Sequence, residues 1–392
     1  MRVLLVDDDP DALRWIERSL APEQSRWQID VAHSAEAALD IMARSPAQVV
    51  VSDMRMPGLT GAELLARVKE EYPDTVRLIV ADYTDRHSVV ECVGTAHQFL
   101  SKPCHPEELR SAIDRACQFK AGLRSDRIKS LIAQMHALPS MPSVLQELFE
   151  AIGKDDASLE EIGEIIARDM AMTAKLLQLV NSGFFGLQAE VTTSSEAVCY
   201  LGVETVKALL LRTQAFSAFN TQTRSPVSLE ALWRHSLSVA GKAREIARDL
   251  GAERSLMEEC FIAGMLHDIG KLALAVNLPE QYQHVFTAAQ DLGLSLHAAE
   301  EAAFGAHHGD IGGYMLQLWG LPTPVVNGIS FHHEPERAPG EEFGPAIAVY
   351  IANCLAHEAA NPGSDFLRID LIEKWGLSDR VPVWRDGVAP QG

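Results

Sequence analysis

The sequence predicts an α/β domain, a doubly wound five-stranded parallel sheet over residues 1–120. A helical linker at 121–137 joins it to an all-α domain at 138–375, with a tail at 376–392. Three observations carry this reading. Short β-branched runs alternate strictly with helical patterns through the first 120 residues. A proline-bearing break, ALPSMPS, closes a long helical stretch. Beyond it no period-2 strand of any length appears.

Taken in order, the runs are RVLLV, a helix after Pro10, WQIDVA, a helix from Ser34, VVVSD, a helix after Gly61, VRLIVA, a helix after Thr84, QFLSK, and a helix from Pro106. Such alternation needs crossover connections, so the strands run parallel with helices on both faces. Residues 106–137 read as one long helix or two abutting ones, with Leu109, Ile113, Ala116, Ile128, Leu131, Ile132 and Met135 on a helical period. This stretch can also serve a homodimer. Two prolines within a few residues then end the helix. Further on, SLEEIGEIIARD opens with a capping box, Ser158 with Glu161. TSSEAVCYLG repeats the device with Thr193, Glu196 and a terminating Gly202.

A chain of 392 residues that is 47% hydrophobic can bury two or three cores, so at least two domains are expected. The net charge of -20 argues against gripping a nucleic-acid backbone, which takes a basic stripe. The six cysteines are scattered without C-x-x-C spacing and read as small buried hydrophobes in a reducing compartment. MRVLLVDDDP turns acidic too early for a signal peptide, and no apolar run approaches the roughly 20 residues of a membrane span. The expectation is a cytoplasmic protein with no membrane insertion.

In a parallel sheet the carboxyl ends of the strands share one edge. Asp7 and Asp8 follow the first strand there, Asp53 the third and Lys102 the fifth. Converging carboxylates repel unless a hard cation lies among them, and oxygen ligands at an open edge suit magnesium. A lysine opposite them completes a site for a phosphoryl group. The motifs VDDD, SDMRMPGLTG and FLSKP together resemble the receiver domain of bacterial response regulators, whose fold is flavodoxin-like. The resemblance implies that Asp53 accepts a phosphoryl group from a histidine kinase. It also implies that Asp7, Asp8, Asp53 and the main-chain carbonyl of Arg55 hold magnesium and that Lys102 contacts the phosphate. One position departs from the pattern: LIVADYTD places Ala81 where receivers usually carry Ser or Thr, followed by Asp82. Alanine has no hydroxyl to donate, and the aromatic switch position, Phe99, has none either.

In the helical part, MPSVLQELFEAI, ARDMAMTAKLLQLVNSGFFG and AVCYLGVETVKALLL resemble the HDOD domain, a relative of the HD metal-dependent phosphohydrolases. Within it, GMLHDIGKLAL sets His267 and Asp268 side by side, and His235, His308, His332 and His333 lie in four further motifs. A single such histidine is more often a hydrogen-bonded core or surface residue. As a group, imidazoles with a carboxylate are the usual ligands of zinc, manganese or iron, and a bridging Asp can hold two cations. Lys271, four residues after His267, falls on the same face of a continuous helix, placed to meet a phosphate. The order resembles that of HD phosphohydrolases, but the late helix AIAVYIANCLAH carries Asn353 at the position of the closing Asp. His332, His333 and Glu334 are followed by PERAPGEEFG, without the G-Y-P run of the HD-GYP branch that hydrolyses cyclic di-GMP. The sequence therefore reads as a response regulator whose degenerate helical output domain acts through contacts with a downstream signalling protein. His267, Asp268 and Lys271 are its candidate catalytic residues. The rival reading is a receiver-gated, metal-dependent phosphodiesterase for a cyclic dinucleotide.

Overall fold

The structure, a computed structural model, describes the chain except residues 24–25, 83–88, 91, 123–127, 129, 133–137, 155–157, 183, 186, 188–189, 212–227, 341, 362–365 and 387–392. Its first part runs β1 (Arg2–Val6), α1 (Pro10–Ser19), β2 (Gln28–Ala32), α2 (Ala35–Arg44), β3 (Val49–Asp53), α3 (Gly61–Glu71), β4 (Val76–Asp82), β5 (Gln98–Lys102) and α4 (Pro106–Gly122). All strand pairs are parallel, in the order β2-β1-β3-β4-β5. Every residue of β3 is buried, as a central strand covered by helices on both faces requires. Register sets Asp53 beside Val80 and Asp82 beside Lys102, so the polar residues gather at one edge of the sheet. The helix expected after Thr84 falls largely outside the described residues, as does much of the stretch after α4.

The second part is helical: α5 (Pro142–Ile152), α6 (Leu159–Ile166), α7 (Met170–Val180), α8 (Ser194–Leu201), α9 (Val203–Leu211), α10 (Leu229–Asp249), α11 (Arg254–Leu266), α12 (Ile269–Asn277), α13 (Pro279–Leu292), α14 (Leu296–Phe304), α15 (His308–Leu318), α16 (Thr323–Ser330), α17 (Pro345–Ala360), α18 (Ile369–Lys374) and α19 (Val381–Asp386). Among the described residues no single helix is long and apolar enough to cross a membrane. The last helix, α19, lies within the expected tail at 376–392. Through Asp386 it folds back on the domain, with Trp384 buried and its indole donating to Asp249 Oδ2 at 3.0 Å. The expected capping box at Ser158 is only half formed. Its hydroxyl accepts from the Glu161 amide, but the Glu161 carboxylate takes Lys154 Nζ at 2.9 Å. The box expected at Thr193 is likewise seen only in its first half, the hydroxyl accepting from the Glu196 amide.

The two parts meet along the free edge of the sheet. Gln98 Nε2 donates to the Leu318 carbonyl at 2.8 Å, Gln178 Nε2 donates to the His97 carbonyl at 2.9 Å, and the Phe184 amide donates to the Phe99 carbonyl at 3.2 Å. Arg115 on α4 also holds Gln98, through Oε1 at 2.9 Å. Behind this seam lies Lys175 of α7, 1% exposed. Its ammonium donates to Gln178 Oε1 at 3.0 Å and stands 3.7 Å above the Trp319 ring.

Candidate functional site

At the carboxyl edge of the sheet Lys102 Nζ lies 2.7 Å from Asp53 Oδ1 and 3.0 Å from Asp7 Oδ2. Oxygen atoms of Asp7, Asp8 and Asp53 lie within 4.8 Å of one another, a spacing that suits three ligands of one cation. Burial raises the Asp53 carboxyl from its ordinary value, against the pull of Lys102, and Asp7 adds like-charge repulsion. The Lys102 ammonium stays above its ordinary value because Asp53 and Asp7 outweigh its burial. Ala81 and Phe99 are both fully buried, and Asp82 Oδ2 is paired with the Arg55 guanidinium at 2.5 Å across the mouth of the site.

The second constellation is built on helix contacts that only glycine permits. A side chain at Gly264 would come 2.7 Å from the Ala240 Cα, and one at Gly270 would come 2.0 Å from the His308 carbonyl oxygen. The first approach draws α11 onto α10, which carries His235, and the second draws α12 onto the start of α15, which carries His308. Between these glycines the expectation of one continuous helix fails. His267 is the C-cap of α11 and Asp268 the N-cap of α12, so both side chains stand at a break in the helical ladder. Lys271 lies in the first turn of α12. Its ammonium bonds Asp268 Oδ2 at 2.8 Å and so holds the carboxylate itself.

Asp268 is the hub. Its Oδ2 lies 3.4 Å from His267 Nε2 and 3.9 Å from His235 Nε2, and its Oδ1 lies 3.3 Å from His308 Nε2 and 3.9 Å from His332 Nε2. Two ligand groups result, His235 with His267 and Asp268, and His308 with His332 and His333. The rings of His267 and His332 hydrogen-bond through Nδ1 to the carbonyls of Gly264 and Ile329, both at 2.7 Å, which turns each Nε2 inward. His267 Nε2, His332 Nε2 and Asp268 Oδ1 are buried and make no hydrogen bond of good geometry. Three buried atoms around one carboxylate that lack a well-aligned hydrogen bond fit a metal centre.

The electrostatics agree. Burial pushes His267 down to about 3 and His332 and His333 well below the ordinary imidazole value, so all three are in the neutral form that ligates. Burial opposes ionisation of Asp268, yet the Lys271 ammonium, with the His308 ring beside it, holds its carboxyl well below the usual range. His308 is the exception. Burial lowers it, but Glu300 more than compensates. Asn353, on α17, reaches the centre as expected, with Oδ1 3.0 Å from His235 Nε2. His357, one turn further on, sets its ring 4.9 Å from that of His235.

Sequence reasoning missed Glu300, His297, His307 and His357, all of which surround the predicted set. Glu300 is fully buried and bonds His308, and His297 stacks on His333 with ring centroids 4.2 Å apart. In LSLHAAEEAAFG nothing separates Glu300 from an ordinary exposed glutamate. His307 and His357, next to or one turn from named positions, were within reach of the helical period.

A family model described as the HDOD domain matches residues 138–335, and one for the response regulator receiver domain matches residues 3–114. This chain belongs to the HDOD family and carries a receiver domain ahead of its HDOD domain. The HDOD protein is similar to an uncharacterised protein of Treponema pallidum, 29% identical over 219 residues, which span 56% of this chain and 42% of that one. Its receiver is similar to the hydrogenase transcriptional regulatory protein HoxA of Cupriavidus necator, 34% identical over 126 residues, 32% of this chain and 25% of that one. The chain thus spans less than half the length of these two curated relatives. Among solved structures, the MmoQ response regulator of Methylococcus capsulatus aligns with a TM-score of 0.51 at 22% identity, covering 64% of this chain and 98% of that one. That likeness is one of fold.

Proposed function

We propose that the HDOD protein is a response regulator in which Asp53 accepts a phosphoryl group from a histidine kinase. Strand β5 would carry the change to an output domain that acts through contacts with a signalling protein. Strand β5 itself is the observation that supports this reading. One end holds Lys102, bonded to Asp53, and the other, from His97 to Phe99, is bonded to the HDOD domain. Asp7, Asp8, Asp53 and the Arg55 carbonyl would hold magnesium, which when bound supplies countercharge for the phosphoryl oxygens. Lys102 would exchange the Asp53 oxygen for a phosphoryl oxygen and shift the end of its strand. Ala81 offers no hydroxyl to follow the phosphoryl group and Phe99 is already buried, so the lysine end of β5 is left as the route. Asp53→Asn should abolish labelling by acetyl phosphate. Phosphorylation of the unaltered chain should change hydrogen exchange in α7, where Gln178 grips His97. Labelling at the normal level in Asp53→Asn would end the assignment, and an unresponsive α7 would end the route.

The three orphaned atoms around Asp268 favour a second reading, a metal-dependent phosphodiesterase. His235, His267, Asp268, His308, His332 and His333 would hold one or two ions of zinc, manganese or iron, which when bound supply Lewis acidity and an acidified water. Asn353 adds a neutral oxygen where a carboxylate would add charge, so we place metal binding ahead of turnover. Hydrolysis of a cyclic dinucleotide at an ordinary enzymatic rate by the metal-loaded, unaltered protein would reverse that order.

A further inference from the structure

The first coordination shell is short of negative charge. Asp268 is the carboxylate among the converging groups, the Lys271 ammonium sits directly on it at 2.8 Å, and Asn353 contributes a neutral amide. A dication held by imidazoles and one half-neutralised carboxylate is poorly compensated in a buried site. The structure holds a second carboxylate one bond further out. Glu300, on α14 and fully buried, receives His308 Nδ1 on Oε2 at 2.5 Å and the His308 amide on the same oxygen at 2.8 Å. Its other oxygen, Oε1, accepts from the Tyr282 hydroxyl at 2.6 Å. The two His308 groups both donate to Oε2, so that oxygen must be an acceptor, and the carboxylate keeps a negative charge beside the ring. A glutamine could still present its amide oxygen to His308 and its NH2 to the Tyr282 hydroxyl, so Glu300→Gln removes the charge while leaving the shape.

We infer that Glu300 is a positioning residue that fixes His308 with Nε2 toward the centre and supplies, from behind the ligand, the negative charge that Asn353 does not. The inference rests on the centre holding metal and is independent of whether it turns over substrate. A carboxylate behind a ligating imidazole orients the ring and raises its basicity, and loss of such a partner commonly costs about 10–100-fold in metal affinity. The same bond accounts for the placement of His308. Its Nε2 faces His333 Nε2 at 2.9 Å and Asp268 Oδ1 at 3.3 Å, an arrangement of acceptors that a shared cation satisfies.

The test is cobalt(II) titration of the metal-stripped full chain, read by visible absorption of the bound ion, for the unaltered protein, Glu300→Gln, Asn353→Asp and the double variant. Glu300→Gln should weaken cobalt binding by about 10–100-fold and alter the absorption band. Asn353→Asp should restore most of that loss in the double variant, because the charge returns by another path. Tyr282→Phe removes a hydrogen bond from Glu300 but leaves the charge and both bonds to His308, and should keep affinity within about threefold. A merely structural glutamate would lower the melting temperature of the metal-free protein without rescue of affinity by Asn353→Asp. Should Glu300→Gln not fold, Glu300→Asp, which withdraws the carboxylate by one methylene, should weaken cobalt by several-fold. Cobalt affinity equal to that of the unaltered protein in either variant overturns the proposal. If the unaltered protein itself takes up no cobalt, the metal reading falls, which titration of that protein alone reveals.

Discussion

Asp268 holds its place by being over-subscribed. Four imidazoles and an ammonium face two oxygens. A buried carboxylate in that position stabilises the native state only while its partners remain charged or metal-bound. Asp268→Asn should therefore remove both the metal and its effect on folding. In the unaltered protein a chelator should lower the melting temperature by several degrees, and in the variant it should leave it unchanged. An equal response in both would reduce the histidine centre to a hydrogen-bonded core. At this scale the sequence is highly legible where residues are ligand-type and spaced by motif, as for Asp53, Lys102 and the six centre residues. It is silent on Glu300, since an exposed glutamate and one buried behind a histidine look alike until α14 is packed against α15.

Elements were legible where periodicity and punctuation agree. The strands of the receiver emerge from β-branched runs bounded by turns. The break at His267–Asp268 does not, because apolar residues continue on both sides and the flanking Gly264 and Gly270 look like ordinary small helix residues until their neighbours are packed against them. What splits the helix is tertiary: two glycine contacts pull α11 and α12 onto different neighbours. Strand β5 makes the complementary point. Its sequence predicts a strand with a terminal lysine, whereas two of its bonds to the HDOD domain use the main-chain carbonyls of His97 and Phe99, which any residue offers. Here Ala81 matters. Restoring a hydroxyl with Ala81→Ser should add a second pull on the β4 and β5 ends and enlarge the exchange response of Phe99 to phosphorylation. A full response at Phe99 in the unaltered protein, with no gain in the variant, would show that the lysine end suffices.

For the molecule as a whole, the seam between receiver and HDOD domain is sensitive to pH. Burial, with Lys69 nearby, pushes the Lys175 ammonium down to about 7. The unfolded chain keeps that proton until roughly 10.4. Between these values the unfolded state binds more protons than the folded one, so stability rises with pH across the window, by up to about 1.4 kcal/mol per unit. Below about pH 7 the folded protein carries the buried charge, eased by Gln178 and the Trp319 face, and the penalty is fully present. Denaturant midpoints should climb from pH 7 to pH 9, and Lys175→Met should flatten that climb. An unchanged slope in the variant would place the proton elsewhere.

The bond from the Phe184 amide to the Phe99 carbonyl has a bearing on how the protein can be divided. Strand β5 is the outermost strand of its sheet, and such edges recruit other strands when left bare. A receiver cut free near residue 120 would lose Phe184, Gln178 and Leu318 together and present an uncapped backbone row to its own copies. Self-association of the isolated fragment would then reflect the missing neighbour. Inheritance of the two domains as one polypeptide would, on the same ground, guard against aggregation as well as serve signalling.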